Sequence, residues 1–381
     1  MISIQSKLPG VGTTIFTTMS KLAAEHNAIN LSQGFPDYDC DPELVALISD
    51  AMRNGFNQYA PMAGSVRLRN VIADKTKALY GAEYDPETEI TITAGGTQAI
   101  FTALAAVIHP GDEVIIFEPA YDSYAPAIRL LGGLVKPYEL APPDYGIDWE
   151  MVKKLFTANT KMIIINTPHN PTGGVLSEED IKSLIKLTKD TDVLVLSDEV
   201  YEHIIFNEKR HQSVARHPEL KERSFVVASF GKLLHTTGWK LGYCIAPAFL
   251  MKEFRKVHQF NVFSVNSPMQ EGIALYLNNE MTYKSLPSFF QQKRDLFRTL
   301  LAETKFKLLP CNGSYFQCVT YDHIEDLNDK DMAVKLVKDY GVASIPVSAF
   351  YIRKTDHNVL RFCFAKKQET LEKAVQRLMK L

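Results

Sequence analysis

The sequence predicts an α/β protein: a large domain built on a mostly parallel sheet flanked by helices, and a smaller α+β domain. Short apolar runs rich in β-branched residues alternate with helical patterns from about residue 40 to residue 280. Continuous apolar runs, such as Met162–Ile165, are typical of parallel strands covered on both faces. The pattern changes after about residue 282. The predicted divisions are an N-terminal arm (1–40), the large domain (41–281) and the small domain (282–381).

The strands of the large domain are predicted from six apolar runs. In chain order, these runs are Ile90–Thr93, Glu113–Phe117, Met162–Asn166, Val193–Ser197, Ser224–Ser229 and Tyr243–Ala246. Helices fall between them, and one begins at Ser177, which forms a capping-box pattern with Asp180. Because the carboxyl ends of parallel strands meet at one edge of a sheet, we expect ligand-binding groups at that edge.

The small domain is predicted from a long amphipathic helix, at about 286–303, and from the mixed elements after it. These elements are Phe306–Pro310, Ser314–Thr320, a helix near Asp331–Tyr340, Leu360–Phe364 and a final helix from about Gln368. The first 30 or so residues have no sheet partner in this interpretation. We expect this N-terminal arm to pack against the small domain.

Composition and charge exclude several classes of protein. With 42 Lys and Arg against 44 Asp and Glu, the net charge is −2, which argues against binding nucleic acid through bulk positive charge. The sequence has neither a run of 18 apolar residues nor a secretory-signal pattern, so we expect a cytoplasmic protein with no membrane partner. Five cysteines without CxxC spacing and ten histidines without HxxxH or HExxH spacing argue against a disulfide framework and a metal site.

Four segments with reactive or turn-forming residues follow predicted strands: 94–99, 166–174, 197–201 and 229–243. Taken singly, each has an ordinary explanation as a turn, a helix cap or a tight connection. Lys232 is the most informative residue, because a lysine just beyond an apolar strand would be partly desolvated. Desolvation and nearby cations lower the pKa of an amine toward neutrality, as Schiff-base chemistry requires.

Together these segments resemble those of the fold type I, pyridoxal-phosphate-dependent aminotransferases of class I. Within that family the chain is most similar to the methionine aminotransferase, kynurenine aminotransferase and glutamine transaminase K group. Further stretches that carry the resemblance are Leu31–Asp37, Asn57–Pro61, Glu118–Tyr124 and Leu360–Lys366. The resemblance runs from about residue 5 to the C-terminus, and the segments around Lys232 and Asn170 are highly specific. It implies a seven-stranded central sheet and pyridoxal 5'-phosphate as cofactor.

The resemblance also implies roles for residues at the strand ends. Lys232 would bond covalently to the cofactor and later move a proton between the substrate's Cα and the cofactor. Asp198 would face the pyridine nitrogen and keep it protonated, which makes the ring an electron sink. Asn170 and Tyr201 would hydrogen-bond the cofactor's phenolic oxygen, and Tyr121 would stack on its ring.

The phosphate of the cofactor would lie at a helix N-terminus. Glycines there allow close approach of the backbone, and free N–H groups face the anion. The residues expected around the phosphate are Gly95, Gly96, Thr97, Ser229 and Lys240, the last at a position where many class I enzymes have arginine. By the same resemblance, Tyr59 would reach the phosphate bound by the neighbouring subunit, which implies a homodimer.

The substrate's α-carboxylate would pair with Arg361, with Gly34 contributing its backbone N–H and Asn170 lying beside it. Apolar or aromatic residues near the expected side-chain pocket are Ile15, Phe35 and Tyr121. They favour methionine, aromatic amino acids, kynurenine or glutamine over aspartate as the amino donor. The implied reaction is a ping-pong transfer of the amino group to a 2-oxo acid.

Two alternatives remain open. The first is a cysteine-S-conjugate β-lyase, which would release pyruvate and ammonia without an oxo-acid acceptor. The second is a catalytically silent regulator that binds the cofactor. Such regulators carry a helix-turn-helix domain before the aminotransferase part, whereas here only about 30 residues precede the Gly34 motif and Lys232 is intact. The sequence therefore favours the aminotransferase.

Overall fold

The computed structural model describes residues 4–381. Its helices are α1 Ile15–Glu25, α2 Pro42–Arg53, α3 Val66–Tyr80, α4 Gly96–Val107, α5 Tyr124–Leu130, α6 Trp149–Lys153, α7 Glu178–Thr188, α8 Pro218–Lys221, α9 Phe230–Leu233, α10 Ala248–Asn261, α11 Ser267–Leu277, α12 Met281–Lys284, α13 Leu286–Leu301, α14 Asp329–Tyr340 and α15 Gln368–Leu378. Its strands are β1 Ile29–Asn30, β2 Ile90–Thr93, β3 Glu113–Glu118, β4 Leu134–Glu139, β5 Thr160–Asn166, β6 Leu194–Asp198, β7 Ser224–Ser229, β8 Gly242–Ile245, β9 Lys307–Leu308, β10 Phe316–Thr320, β11 Val342–Ala343, β12 Ile345–Pro346 and β13 Val359–Cys363.

The central sheet has seven strands in the order β2-β8-β7-β6-β5-β3-β4. Only β8 runs antiparallel to its neighbours, so the predicted α/β class with a mostly parallel sheet is confirmed. Strand β4 does not correspond to any of the six predicted apolar runs. It lies at the edge of the sheet, is half-exposed and contains Pro137, so it has no continuous apolar run.

Strand β5 shows why the sheet is covered on both faces. Met162 and Ile164 pack into the apolar cluster on one side, whereas Ile163 and Ile165 pack into the cluster on the other. Successive side chains of a strand point to opposite faces, so an unbroken apolar run is buried on both. At the carboxyl ends of the strands, Asn166 pairs with Asp198. This edge carries the segments that the sequence analysis singled out.

A second, four-stranded antiparallel sheet has the order β12-β13-β10-β9. The expectation that the N-terminal arm lacks a sheet partner is wrong for Ile29 and Asn30, which pair in parallel with Val342 and Ala343. A two-residue strand is too short to show an alternating pattern in sequence. Helix α1 of the arm contacts α14 and β11.

The capping box predicted from Ser177 and Asp180 is present at the start of helix α7. Helix α7 begins with a reciprocal capping box, in which the Ser177 hydroxyl accepts from the Asp180 N–H and the Asp180 carboxylate accepts from the Ser177 N–H.

Across residues 4–381, no helix combines the length and apolarity needed to cross a membrane. The same residues contain no cluster of three or more His, Cys, Asp or Glu side chains that could hold a metal ion.

Candidate active site

A cavity of about 310 Å³ opens at the carboxyl edge of the central sheet. Its walls come from three sources: the strand ends of the central sheet, strands β10 and β13 of the four-stranded sheet, and the N-terminal arm. The predicted site residues that line it are Gly34, Gly95, Gly96, Thr97, Tyr121, Asn170, Asp198, Tyr201, Ser229, Lys232, Lys240 and Arg361. Folding therefore brings together segments that are more than 300 residues apart in the chain.

Lys232 lies in α9, directly after β7. Its Nζ atom donates hydrogen bonds to the Gly34 carbonyl oxygen, at 3.0 Å, and to the Tyr315 hydroxyl, at 2.9 Å. Burial lowers the pKa of Lys232 to about 8, and the positive charges of Arg361 and Lys240 act in the same direction. An amine with this pKa is partly neutral near physiological pH and can act as a nucleophile.

Asp198 is the last residue of β6, and only 3% of its surface is exposed. Its Oδ2 atom accepts a hydrogen bond from the Tyr124 hydroxyl at 2.5 Å, and its Oδ1 atom accepts one from the Val200 N–H at 3.3 Å. Burial raises the pKa of Asp198 to about 6, although both hydrogen bonds lower it. A buried carboxylate at a cavity wall is a suitable partner for a cationic ring nitrogen.

Arg361 lies in β13 and is fully buried. Its Nη1 atom donates to Asn170 Oδ1 and its Nη2 atom to the Ser32 carbonyl oxygen, both at 2.8 Å. Both acceptors are neutral, and among the described residues the buried Nε atom has no hydrogen-bond partner. The guanidinium lies 3.9 Å from the centroid of the Phe316 ring. A buried cation with an unsatisfied donor can bind an anion such as a carboxylate.

Tyr201 and Tyr121 present aromatic rings near the lysine and the helix N-terminus. Tyr201 is 3% exposed, and its ring centroid lies 5.8 Å from the Lys232 Nζ atom. Burial raises the pKa of Tyr201, so its hydroxyl stays protonated and can donate a hydrogen bond. The Tyr121 hydroxyl and Thr97 Oγ1 are 3.1 Å apart, which ties the Tyr121 turn to the start of α4.

The N-terminus of α4 forms a cradle for an anion. Gly95 precedes the helix with φ +83°, a conformation that side-chain-bearing residues rarely adopt. A Cβ atom at Gly96 would lie 3.0 Å from a methyl group of Val200, which leaves little room for a side chain. The free N–H groups of the first turn, the Ser229 hydroxyl and the Lys240 ammonium are suited to a phosphate.

Two predicted residues lie outside the cavity. Ile15 is not among the residues that line the cavity, whereas the next residue, Phe16, lines it with its ring centroid 5.4 Å from the Arg361 guanidinium. Both residues lie in the first turn of α1, where consecutive side chains point about 100° apart. The role of Ile15 near the substrate side chain therefore stays a prediction. Tyr59 is 81% exposed and its ring packs against Phe263.

Four residues to which no sequence pattern assigned a role also contact or line the site: Tyr124, Tyr315, Phe316 and Asn166. Tyr124 could have been noticed, because it ends the Glu118–Tyr124 stretch and follows Tyr121 by three residues. Tyr315 and Phe316 had no such local signal. They reach the cavity from the four-stranded sheet, and the residues next to them in sequence do not indicate that this sheet packs against the site.

Residues 26–378 match the model of the family described as "Aminotransferase class I and II". The chain is 48% identical to the methionine aminotransferase of Escherichia coli (strain K12), over 99% of this chain and 98% of that protein. It is 31% identical to kynurenine–oxoglutarate transaminase 1 of Homo sapiens, over 98% and 97% of the two chains.

Solved aminotransferase structures are also similar to this chain. The structure that identified a methionine aminotransferase function in Escherichia coli superimposes with a TM-score of 0.98 at 48% identity, covering 100% of both chains. N-Succinyldiaminopimelate aminotransferase from Mycobacterium tuberculosis superimposes with a TM-score of 0.95 at 35% identity, covering 99% of this chain and 100% of that one. The likeness therefore extends over the full fold and includes relatives that are named for different substrates.

Proposed function

Because the chain belongs to the class I and II aminotransferase family, we propose that this aminotransferase holds pyridoxal 5'-phosphate at Lys232 and takes its amino group from methionine, aromatic amino acids, kynurenine or glutamine. The acceptor is a 2-oxo acid. The observation that carries the proposal is the single cavity that contains the Lys232 amine, the Asp198 carboxylate and the Arg361 guanidinium. These groups fit, in order, an aldehyde, a ring nitrogen and an α-carboxylate.

Bound pyridoxal phosphate supplies an aldehyde that bonds to amines and a ring that withdraws electrons from the substrate's Cα. In this proposal Lys232 holds the cofactor covalently and, once released, moves the proton at Cα. Asp198 holds a proton on the ring nitrogen by its negative charge. The N-terminus of α4, with Ser229 and Lys240, binds the phosphate.

Arg361 orients the donor by its α-carboxylate. The guanidinium is already desolvated and held in place by Asn170, Ser32 and the Phe316 ring, so little further ordering is needed when a carboxylate binds. Within the described residues, the cations that line the cavity are Lys232, Lys240 and Arg361, and each has an assigned role. No lining cation is left for a second carboxylate, which favours donors with an uncharged side chain.

Steady-state kinetics with a panel of donors tests the substrate class. Methionine, phenylalanine, tyrosine, kynurenine and glutamine should differ by only about 10- to 200-fold in kcat/KM, because an apolar pocket distinguishes a methylene by about 1–3 kcal/mol. Aspartate should be a poorer donor than any of them. Aspartate as the best donor would show that the proposed substrate class is wrong.

Replacing Arg361 tests the carboxylate site. Arg361→Ala should lower kcat/KM by about 100-fold for every amino acid of the panel, because each loses the same charge-assisted hydrogen bonds. Arg361→Lys keeps the charge but not the planar fork, and should recover only part of the loss. An amine without a carboxylate, such as 2-phenylethylamine, serves as control, and its slow half-reaction should be unchanged. An equal loss for the amine would indicate general damage and contradict the assignment.

The proposal includes a homodimer in which Tyr59 completes the phosphate site of the neighbouring subunit. Tyr59 is exposed and its ring packs against the exposed ring of Phe263. Adjacent exposed aromatic side chains of this kind support a surface covered by a partner. A residue that serves the neighbouring subunit must lie outside its own cavity, and Tyr59 does so.

Mixed dimers test this arrangement. Tyr59→Ala should weaken cofactor binding by about 10- to 100-fold through loss of a hydrogen bond to a charged group, and Lys232→Ala should be inactive. A heterodimer of the two variants should have one intact site, with Lys232 from one subunit and Tyr59 from the other. At a cofactor concentration too low to load Tyr59→Ala, neither parent should be active, and activity should therefore appear on mixing and subunit exchange. If Tyr59 served its own subunit, no mixed site would be intact and no activity would return.

A further inference from the structure

The hydrogen bond between Tyr124 and Asp198 connects two buried side chains. Tyr124 is the first residue of α5, and both side chains are 3% exposed. We infer that Tyr124 is a positioning residue that keeps the Asp198 carboxylate ionised and fixes its orientation toward the cavity. This inference rests on the proposed role of Asp198 as the partner of the cofactor's ring nitrogen.

The two oxygen atoms of Asp198 are not equivalent. Oδ2 accepts from the Tyr124 hydroxyl at 2.5 Å, whereas among residues 4–381 the partner of Oδ1 is the Val200 N–H, at 3.3 Å. A buried carboxylate is costly unless its lone pairs are satisfied. Without the Tyr124 hydroxyl, Asp198 would keep one long hydrogen bond, and its protonated form would become more favourable.

The position of Tyr124 is fixed by its neighbours. Its ring meets the ring of Tyr121 edge-on, with centroids 5.7 Å apart, and the Tyr121 hydroxyl is tied to Thr97. One turn of chain thus orients both the ring expected to stack on the cofactor and the donor to Asp198. Burial also raises the pKa of Tyr124 well above its usual value, so its hydroxyl remains a donor at physiological pH.

Other charged or titratable groups also face Asp198. They are Tyr121 from the turn before α5, Glu199 and Tyr201 from the segment after β6, and Lys232 from α9. Lys232 lowers the pKa of Asp198 and Glu199 raises it. Burial raises the pKa of Asp198 to about 6 and the Tyr124 hydrogen bond lowers it, so loss of that bond favours the protonated carboxyl group.

The hydrogen bond from Tyr124 affects where the proton between Asp198 and the cofactor's ring nitrogen lies. When a ring nitrogen faces Asp198, the proton can lie on the nitrogen, giving an ion pair, or on the carboxylate, giving a neutral pair. A hydrogen bond donated to the carboxylate favours the ion pair, and hydrogen bonds to charged groups are strong enough to shift such an equilibrium by about tenfold or more.

The test is the ¹⁵N NMR signal of ¹⁵N-labelled pyridoxal phosphate bound in the holoenzyme, recorded from pH 6 to 8.5. This signal reports protonation of the ring nitrogen directly, without catalysis. In the wild-type protein the nitrogen should be protonated. Tyr124→Phe should lower its pKa by about one unit or more, corresponding to the tenfold shift, and Asp198→Asn should leave it unprotonated.

Tyr84→Phe is the matched control. Tyr84 is also a buried tyrosine, but among the described residues its hydroxyl has no hydrogen-bond partner. The same chemical change at Tyr84 should leave the ¹⁵N signal unaltered. If Tyr124→Phe folds poorly, 3-fluorotyrosine at position 124 keeps the shape and donates more strongly, and it should raise the pKa of the ring nitrogen.

The outcomes separate this inference from the proposed function. A ring nitrogen that is unprotonated in the wild-type protein would overturn the role of Asp198 itself. A protonated nitrogen in the wild type, with a Tyr124→Phe titration that matches both wild type and Tyr84→Phe, would overturn the role of Tyr124 and leave the proposed function standing.

Discussion

Lys232→Ala should bind pyridoxal phosphate without a covalent bond and lose transamination by several orders of magnitude, because both the covalent attachment and the base that moves the Cα proton are removed. In the wild-type protein, borohydride should fix a pyridoxyl group on Lys232, which peptide mass spectrometry identifies. The lowered pKa of the amine, about 8, and its place in the cavity motivate this expectation.

Lys293→Ala is a suitable control for that experiment. Burial lowers the pKa of Lys293 as well, but its Nζ atom donates to the Lys366 carbonyl oxygen, and the side chain does not line the cavity. We expect Lys293→Ala to keep activity within a few-fold of wild type and to be labelled at Lys232. Near-normal turnover by Lys232→Ala, or labelling at another lysine, would contradict the assignment.

Asp198→Asn should slow removal of the Cα proton by orders of magnitude, with a smaller effect on cofactor affinity. The substitution preserves shape and removes the charge that holds the ring nitrogen protonated, so the ring withdraws electrons less effectively. Stopped-flow absorbance of the half-reaction measures the rate. With α-deuterated methionine the kinetic isotope effect should be larger than in wild type, because proton removal becomes the limiting step.

The neighbouring buried carboxylate provides the comparison. Glu199 accepts hydrogen bonds from Ser197 and the Val214 N–H and pairs with His211 at 2.8 Å, so all its partners lie away from the cavity. Glu199→Gln should reduce thermal stability without a large change in the rate of proton removal. If Asp198→Asn behaved like Glu199→Gln, the Asp198 carboxylate would be structural only.

The strand pattern predicts where part of the candidate site lies, whereas the roles of its residues are implied by the family resemblance. Asp198 ends β6 and Lys232 follows β7, so the strand pattern alone places both at one edge of the sheet. The seven-stranded sheet itself was predicted through the resemblance, because the edge strand β4 has no apolar run of its own.

The errors and omissions have a common cause. Choosing between Ile15 and Phe16 depends on the rotation of α1 about its axis, which is set by what α1 packs against. Tyr315 and Phe316 reach the cavity because β10 pairs with β13, a contact between segments about 45 residues apart. Sequence patterns report which residues are buried, but not which distant surface buries them.

The mixed origin of the cavity walls has an evolutionary consequence. The central sheet contributes the groups that would handle the cofactor, whereas Arg361, Phe316, Phe16 and Phe35 come from the four-stranded sheet and the arm. Substitutions of Phe16 or Phe35 would alter which donor side chain fits, while Arg361 and the strand-end residues stay unchanged. On this division of the walls, donor preference can change without loss of the groups that would handle the cofactor. This is consistent with relatives that share the fold at TM-scores of 0.95 and 0.98 yet carry different substrate names.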